Sequence, residues 1–331
     1  MSDKTQKEHY VPQRYLKHFA VNEKFFAYDK VKTEPRAGNI NDYASERFFY
    51  DIDFNALMKE LLEQNPQCQF DPQVEQMLKE TDEQYLEHWF GDNVETWLFD
   101  PIEKIIMLYT MSNPKRLNIV QVLTDAEMDH ISLYLAIQFL RSKEFRESMT
   151  ELYERLPVLL MKKFAKTQED REFADGIELK IKNKNHKKLY HAQILSDPDI
   201  AAHLAETFRN KIWMIGYHRT DMQFITSDNP VVRFGHLGSS GFNSDGIEIF
   251  FPLSTKLVLI MKDPSSFYYE AEHYNHFVEL DEIDVAFINS LQVQQSYRYV
   301  FNKTDDFEMV IGMLKRNPAL SDIKHKRFIM G

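Results

Sequence analysis

The chain has 331 residues, 43% hydrophobic and 13% aromatic, with ten glycines and twelve prolines; this supports a sizeable core and excludes collagen-like, low-complexity and disordered classes. A net charge of −11 removes the overall basic footprint of a dedicated duplex-DNA binder, although a local basic cleft stays compatible with it. The single cysteine, Cys68, excludes an internal disulfide and any multi-cysteine metal site.

No run approaches 18 apolar residues and MSDKTQKE carries no apolar leader, so a cytoplasmic protein without membrane association is expected. In chain order, HYVPQRYLKHFA (9–20) comes first. Pro12 biases Val11 toward extended backbone, so His9–Val11 should enter as an arm. A short helix follows, with Val11, Tyr15 and Phe19 on one apolar face. KFFAYDK reads as a strand, TEPRAGNIND as a connection, and ASERFFYDID follows.

Residues 72–89 carry Val74, Met77, Leu78, Tyr85 and Trp89 at helical period, and Asp100-Pro101 opens another helix. Thr124 with Glu127 forms a capping box for the clearest helix, with Met128, Ile131, Leu135 and Phe139 at helical spacing. It is expected to run to about Arg155, with Pro157 a stop or kink. Lys180, Lys182, Lys184, Lys187 and Lys188, with His186 and His191, read as a solvated hairpin or loop, the alternative being a phosphate contact. Asp197-Pro198 opens a helix bearing Ile200, Leu204 and Phe208.

The period then falls to two in KIWMIGYH, MQFITS, PVVRF, IEIFFPL and KLVLIMK, whose short links imply antiparallel pairing. A helix from Asp281 to about Gln295, a strand YRYVF and a helix at about 306–315 complete the chain. The fold class is α+β: one elaborated domain over 1–331, with a helical subregion at about 70–210 and a mostly antiparallel sheet at about 211–301, joined by the N-terminal segment 5–50.

Three groups of polar residues bear on chemistry. His9 suits a general acid/base or a ligand, against a histidine bonded to backbone while its segment packs. In Ser227-Asp228-Asn229-Pro230 a strand end presents a carboxylate and an amide, against an ordinary side-chain-to-backbone turn. Gln138 and Arg141 share a face of an otherwise apolar helix and need partners there. Arg141 either clamps a phosphate or carboxylate or forms a buried pair with Glu46 or Asp228. No dinucleotide fingerprint, P-loop, nucleophile elbow or HExxH motif is present.

Taken together, HYVPQRYLKHF, AIQFLRS followed by FR, FITSDNPVV and FPLSTKLVLI resemble an uncharacterised bacterial family, domain-of-unknown-function family 4238. The resemblance covers about residues 5–300. Its motifs fall on His9, Tyr10, Pro12 and Gln13; on Gln138, Arg141 and Arg146; on Ser227, Asp228, Asn229 and Pro230; and on Pro252, Leu253 and Ser254. ASERFFY adds Glu46, and Thr255 departs from the proline of the family pattern. The resemblance implies no reaction, but it implies that these polar residues recur as a set drawn from separated segments, as a composite site would.

Two expectations follow. The first is a hydrolase, a phosphodiesterase or nuclease acting on nucleic acid or a phosphorylated small molecule. His9 would be its general acid/base, Asp228 the orienting carboxylate or a metal ligand, and Arg141 the stabiliser of phosphate charge. Gln13, Glu46, Gln138 and Asn229 would bind substrate. A divalent metal is compatible with that chemistry, and no ligand set is assigned. The alternative is a non-enzymatic ligand-binding or protein-interaction module in which the same residues build buried structural networks.

Overall fold

The computed structural model describes residues 7–67, 73, 76, 84–111 and 121–324. Cys68 and the expected helical positions Val74, Met77 and Leu78 lie outside the described residues. The N-terminal strand β1 (Lys7–His9) pairs antiparallel with β4 (Ser45–Arg47), placing Glu8 opposite Glu46. Beyond Pro12 the short helix α1 (Gln13–Leu16) continues into a 3-10 turn, Lys17–Phe19. Val11, Tyr15 and Phe19 are all fully buried, as their spacing demands.

Strands β2 (Lys24–Asp29) and β3 (Glu34–Asn39) form a hairpin, so the segment expected as a connection is partly a strand. Pro35 is tolerated because β3 is an edge strand, where no ladder partner needs its missing N–H. The helical part contains α2 (Phe54–Gln64), α3 (Tyr85–Trp89), α4 (Asp100–Met111) and α5 (Asp125–Leu140), the last opened by the Thr124–Glu127 capping box.

The long helix expected to reach Arg155 is interrupted. It stops at Leu140, and Ser142 caps a new helix, α6 (Lys143–Phe164), by accepting from the Phe145 N–H at 3.1 Å. Pro157 sits inside α6 without ending it. Next come α7 (Gln168–Asp175), α8 (Lys184–Leu195) and α9 (Pro198–Arg209), which packs along α5. Lys184, Lys187 and Lys188 therefore ride on a helix, not a loop; Asn183 caps it by accepting from the Asn185 N–H at 2.8 Å.

The sheet half follows as β5 (Ile212–Tyr217), β6 (Thr226–Ser227), β7 (Val232–Gly235), β8 (Ile247–Ser254), β9 (Leu257–Lys262) and β10 (Phe277–Glu279). Helix α10 (Glu282–Gln295), strand β11 (Tyr299–Asn302) and helix α11 (Glu308–Arg316) come last. A five-stranded sheet has the order β10-β5-β9-β8-β7, parallel only between β10 and β5, and a four-stranded antiparallel sheet has the order β3-β2-β11-β6. The arrangement is α+β with mostly antiparallel strands.

Strands β8 and β9 are buried on both faces, which explains their unbroken apolar runs. On one face Tyr15 lies 4.8 Å from Phe251, and its hydroxyl bonds Thr226 at 2.6 Å and the Pro252 carbonyl at 2.9 Å. On the other face Val285, Ile288 and Leu291 of α10 pack on Met214, Val258 and Ile260. One continuous apolar cluster takes in Tyr15, Ile131, Phe251 and Phe301, so the arm, the helices and both larger sheets share a core.

Candidate functional site

The break between α5 and α6 places Arg141 at the centre of the arm's attachment. Its guanidinium is fully buried. It donates to Glu95 Oε1 at 3.0 Å, to the Tyr50 hydroxyl at 3.3 Å and to the His9 carbonyl, and it lies 4.3 Å from the Phe90 ring centre. A buried cation is tolerable only with such a set of acceptors. Three of its five N–H groups are thus directed to protein acceptors. Gln138, one turn earlier, donates to the Tyr10 carbonyl at 3.0 Å, and its own Oε1 is buried without a partner.

His9 is buried, and Gln13 Nε2 lies 3.4 Å from its ring nitrogens. Burial, reinforced by the Arg141 charge, pushes the imidazole down to about 4. It is a neutral ring at physiological pH. Glu46 faces the other way, bonding Lys143 at 2.6 Å and Arg146 at 3.5 Å; Arg146 also stacks 3.5 Å from Phe49 and donates to the Phe49 carbonyl at 3.0 Å.

The TSDNP segment is an anchor of main chain. Buried Asp228 accepts from the Tyr297 N–H (2.8 Å) with one oxygen, and from Arg298 (2.8 Å) and Tyr299 (2.9 Å) with the other. Burial raises its carboxyl to about 6 against the pull of those three N–H groups and of Lys30. Lys30 is itself buried, donating to the Val293 (2.9 Å) and Ser296 (2.8 Å) carbonyls, and burial pushes its ammonium down to about 8. Asn229 donates to the Gln295 carbonyl at 2.8 Å, and Ser227 to Gln292 at 2.7 Å. These bonds fix the end of α10 and the start of β11.

The sequence candidates thus converge in two groups. His9, Gln13, Gln138 and Arg141 join the arm to α5. Asp228 and Asn229 join β6 to α10 and β11. No hydrogen bond links His9 to Asp228. The bridge between the groups is Tyr10, whose buried phenol is raised by desolvation and then by the nearby Asp228 and Glu46 charges.

Sequence reasoning missed a buried acid cluster behind His9. Glu8, fully buried, accepts from the Tyr50 N–H at 2.6 Å. Gln84 Nε2 bridges it (3.1 Å) to Asp51 (3.4 Å), whose carbonyl takes Lys188 Nζ at 2.9 Å. Desolvation first, then the hydrogen bond with Asp51, raises Glu8 to about 8. Desolvation also raises Glu87 to about 7, and its Oε2 is buried without a partner. His191, donating from Nε2 to the Leu140 carbonyl (2.8 Å), is pushed down to about 3 by burial. The only sequence signal was a charge directly before His9 in an arm expected to pack.

The other face of α5 lines an open hollow of about 680 Å³. Its walls include Tyr85, Trp89, Trp97, Leu133, Ile137 and Leu195, and its few polar groups are Asn93, Ser196 and Asp197. Trp89, one of the apolar positions at helical period, is 42% exposed, and Trp97 is 47% exposed. Among the described residues there is no group of three or more His, Cys, Asp or Glu placed to hold a metal ion, and no helix long and apolar enough to cross a membrane.

Comparison with known proteins finds no match among curated proteins or solved structures. A family profile does match, over residues 7–306, and its span takes in the arm, α5, the β6 anchor and β8. The chain belongs to the family described as Protein of unknown function (DUF4238).

Proposed function

We propose that this protein is a binding module for an apolar, planar small molecule, and that the family's polar residues are the frame that shapes it. The observation that carries this reading is the 680 Å³ hollow edged by Trp89 and Trp97. Its volume lies within the range of small-molecule sites, roughly 300–1,000 Å³, and such sites pair apolar walls with a few polar groups. Ile137 and Leu140 of α5 face it, while Gln138 and Arg141 of the same helix hold the arm. The motif thereby fixes the wall. The hydrogen bonds of His9, Arg141 and Asp228 to main chain support a framework role over an acid/base one.

Trp89 and Trp97 flank the hollow whereas Trp213 is fully buried, so tryptophan emission is the readout. Titration with planar aromatic compounds should shift or quench that emission, and Ala202→Trp, which fills the hollow from its exposed rim, should abolish the change with folding intact. Unaltered binding in Ala202→Trp, or no response to any member of such a panel, overturns the reading.

A second reading rests on one observation: Glu87, raised toward neutrality, lies beside Arg141, as an acid of a hydrolase would. Cleavage of RNA, DNA or a phosphodiester by the purified protein, lost in Glu87→Gln at unchanged melting temperature, would establish it.

A further inference from the structure

A second, smaller hollow of about 120 Å³ lies between the link from β5 to β6, helix α10, the end of β11 and the start of α11. Its polar walls are Asp221, Gln223, Asn289, Asn302, Thr304 and Asp306, and among the described residues no lysine, arginine or histidine lines it. Two oxygens of that set have no partner. Asn302 is only 4% exposed; its NH₂ donates to the Asp306 carbonyl at 2.8 Å, which fixes the amide and leaves Oδ1 bare. Gln223 Oε1 is likewise buried without a hydrogen bond. A bare buried carbonyl costs free energy, and an ion or water that satisfies it is the ordinary explanation.

The surroundings hold these groups in place. Asn289 spends both ends on main chain, accepting from the Ile225 N–H at 3.0 Å and donating to the Gln223 carbonyl at 2.9 Å. Lys256, outside the walls, donates to the Thr220 (2.7 Å) and Met222 (3.2 Å) carbonyls. The backbone that carries Asp221 and Gln223 is therefore pinned at residues 220, 222, 223 and 225. Asp221 and Asp306 supply the charge: both are exposed, and among the described residues neither is in an ion pair. Asp306 accepts from the Glu308 N–H at 3.3 Å.

We propose that this hollow is a calcium site, with the Asp221 and Asp306 carboxylates and the Gln223 and Asn302 amide oxygens as ligands and water completing the shell. A donor set made wholly of oxygen selects a hard cation. Two carboxylates balance one divalent charge. Calcium accepts amide carbonyls in irregular geometry, whereas magnesium demands a near-ideal octahedron and keeps much of its water. Half of the protein donors are neutral amides, so binding is weak, on the order of 10⁻⁴–10⁻³ M. The ion joins the residues before β6 to those after β11. It thereby clamps the β6–β11 ladder at the end opposite the one that Asp228 holds. This inference is independent of the hollow edged by Trp89 and Trp97.

The test uses the full chain, stripped with EDTA and exchanged into chelator-free buffer. Calcium chloride at about 10 mM should raise the melting temperature by at least about 2 °C, and magnesium chloride at the same concentration, or sodium chloride at the same ionic strength, by less than half as much. Asp221→Asn with Asp306→Asn should abolish the rise at an unchanged metal-free melting temperature. Gln223→Leu removes a bare oxygen, so without metal it should melt no lower than wild type, yet it should bind calcium at least tenfold more weakly in titration calorimetry. No rise with calcium, an equal rise with all three salts, or a rise that survives in the double variant overturns the proposal. Wild-type calcium affinity in Gln223→Leu overturns it too, as does a lower metal-free melting temperature there, which would show the oxygen already partnered. A rise with methylammonium chloride and none with calcium overturns it in favour of an amine.

Discussion

Replacing Glu8 with Gln should remove a measurable share of this protein's loss of stability at alkaline pH. Glu8 is fully buried between Tyr50, Gln84 and Asp51, and its carboxyl is raised from 4.5 to about 8, chiefly by desolvation. A raised acid binds its proton more tightly in the folded state. Its stabilising contribution is therefore full below pH 4.5 and is lost as pH climbs toward 8. From pH 6.5 to 8 folding keeps one proton that the unfolded chain releases, which costs ~1.4 kcal/mol per pH unit, or about 2 kcal/mol across that window. His9 and His191, pushed down to about 4 and 3, are neutral there in the folded state, and Lys30, pushed down to about 8, matters only above it. Glu87, raised to about 7, acts in the same direction and leaves a residual slope. In Glu8→Gln the amide oxygen can still accept from the Tyr50 N–H, and its NH₂ can donate to Asp51. Urea unfolding at pH 6.5, 7.2 and 8.0 should show the wild-type protein losing roughly 2 kcal/mol more than the variant. Parallel pH profiles for the two proteins, or a variant less stable at pH 8.0, would refute the raised carboxyl of Glu8.

Arg141→Met should destabilise by roughly 3–5 kcal/mol, the cost of removing one member of a buried ionic network, because Glu95, the Tyr50 hydroxyl and the His9 carbonyl lose their donor together; a melting temperature within two degrees of wild type would show that those bonds are idle. Asp228→Ala strands the N–H groups of residues 297–299 and should cost about 3 kcal/mol or more in chemical denaturation, at ~1–3 kcal/mol per buried unpaired group. The His9 ring, lowered to about 4 by burial and by Arg141, should show no imidazole titration in NMR spectra above pH 5. A group depressed in this way adds stability that falls as pH drops from 6.5 toward 4, and a His9 titration midpoint near 6.5 would place the ring in solvent instead.

What the sequence made legible was local or rhythmic. Thr124 and Glu127 cap each other across one turn, and Val11, Tyr15 and Phe19 recur on one helical face, so both could be read without the fold. The stop at Leu140 is equally local, but the Ser142 cap competes with a strong apolar pattern that runs on past it. The Pro35 strand depends on β3 being an edge, which only the sheet order decides. Glu8 and Asp51 meet across forty-three residues through the register of β1 with β4, and no periodicity encodes that register.

The same limit governs the motif residues. Buried frameworks and catalytic sites select the same types, because both need side chains whose bonding is directional and whose charge is costly to strand. Composition and spacing therefore single out His9, Gln138, Arg141 and Asp228 without deciding their task. The deciding quantity is where the last lone pair or proton points. Asp228 gives both oxygens to main-chain N–H groups, and Arg141 turns its donors toward Glu95, Tyr50 and His9. Both direct these bonds to protein atoms. Glu87 Oε2 is buried without a hydrogen-bond partner, and it lies beside Arg141, one residue on from Leu86, which lines the hollow. If ligand binding in that hollow moves α3, the group it would uncover is Glu87. A ligand-dependent change in the Glu87 titration, absent in Ala202→Trp, is the sign that frame and hollow work as one unit; a titration indifferent to ligand would separate them.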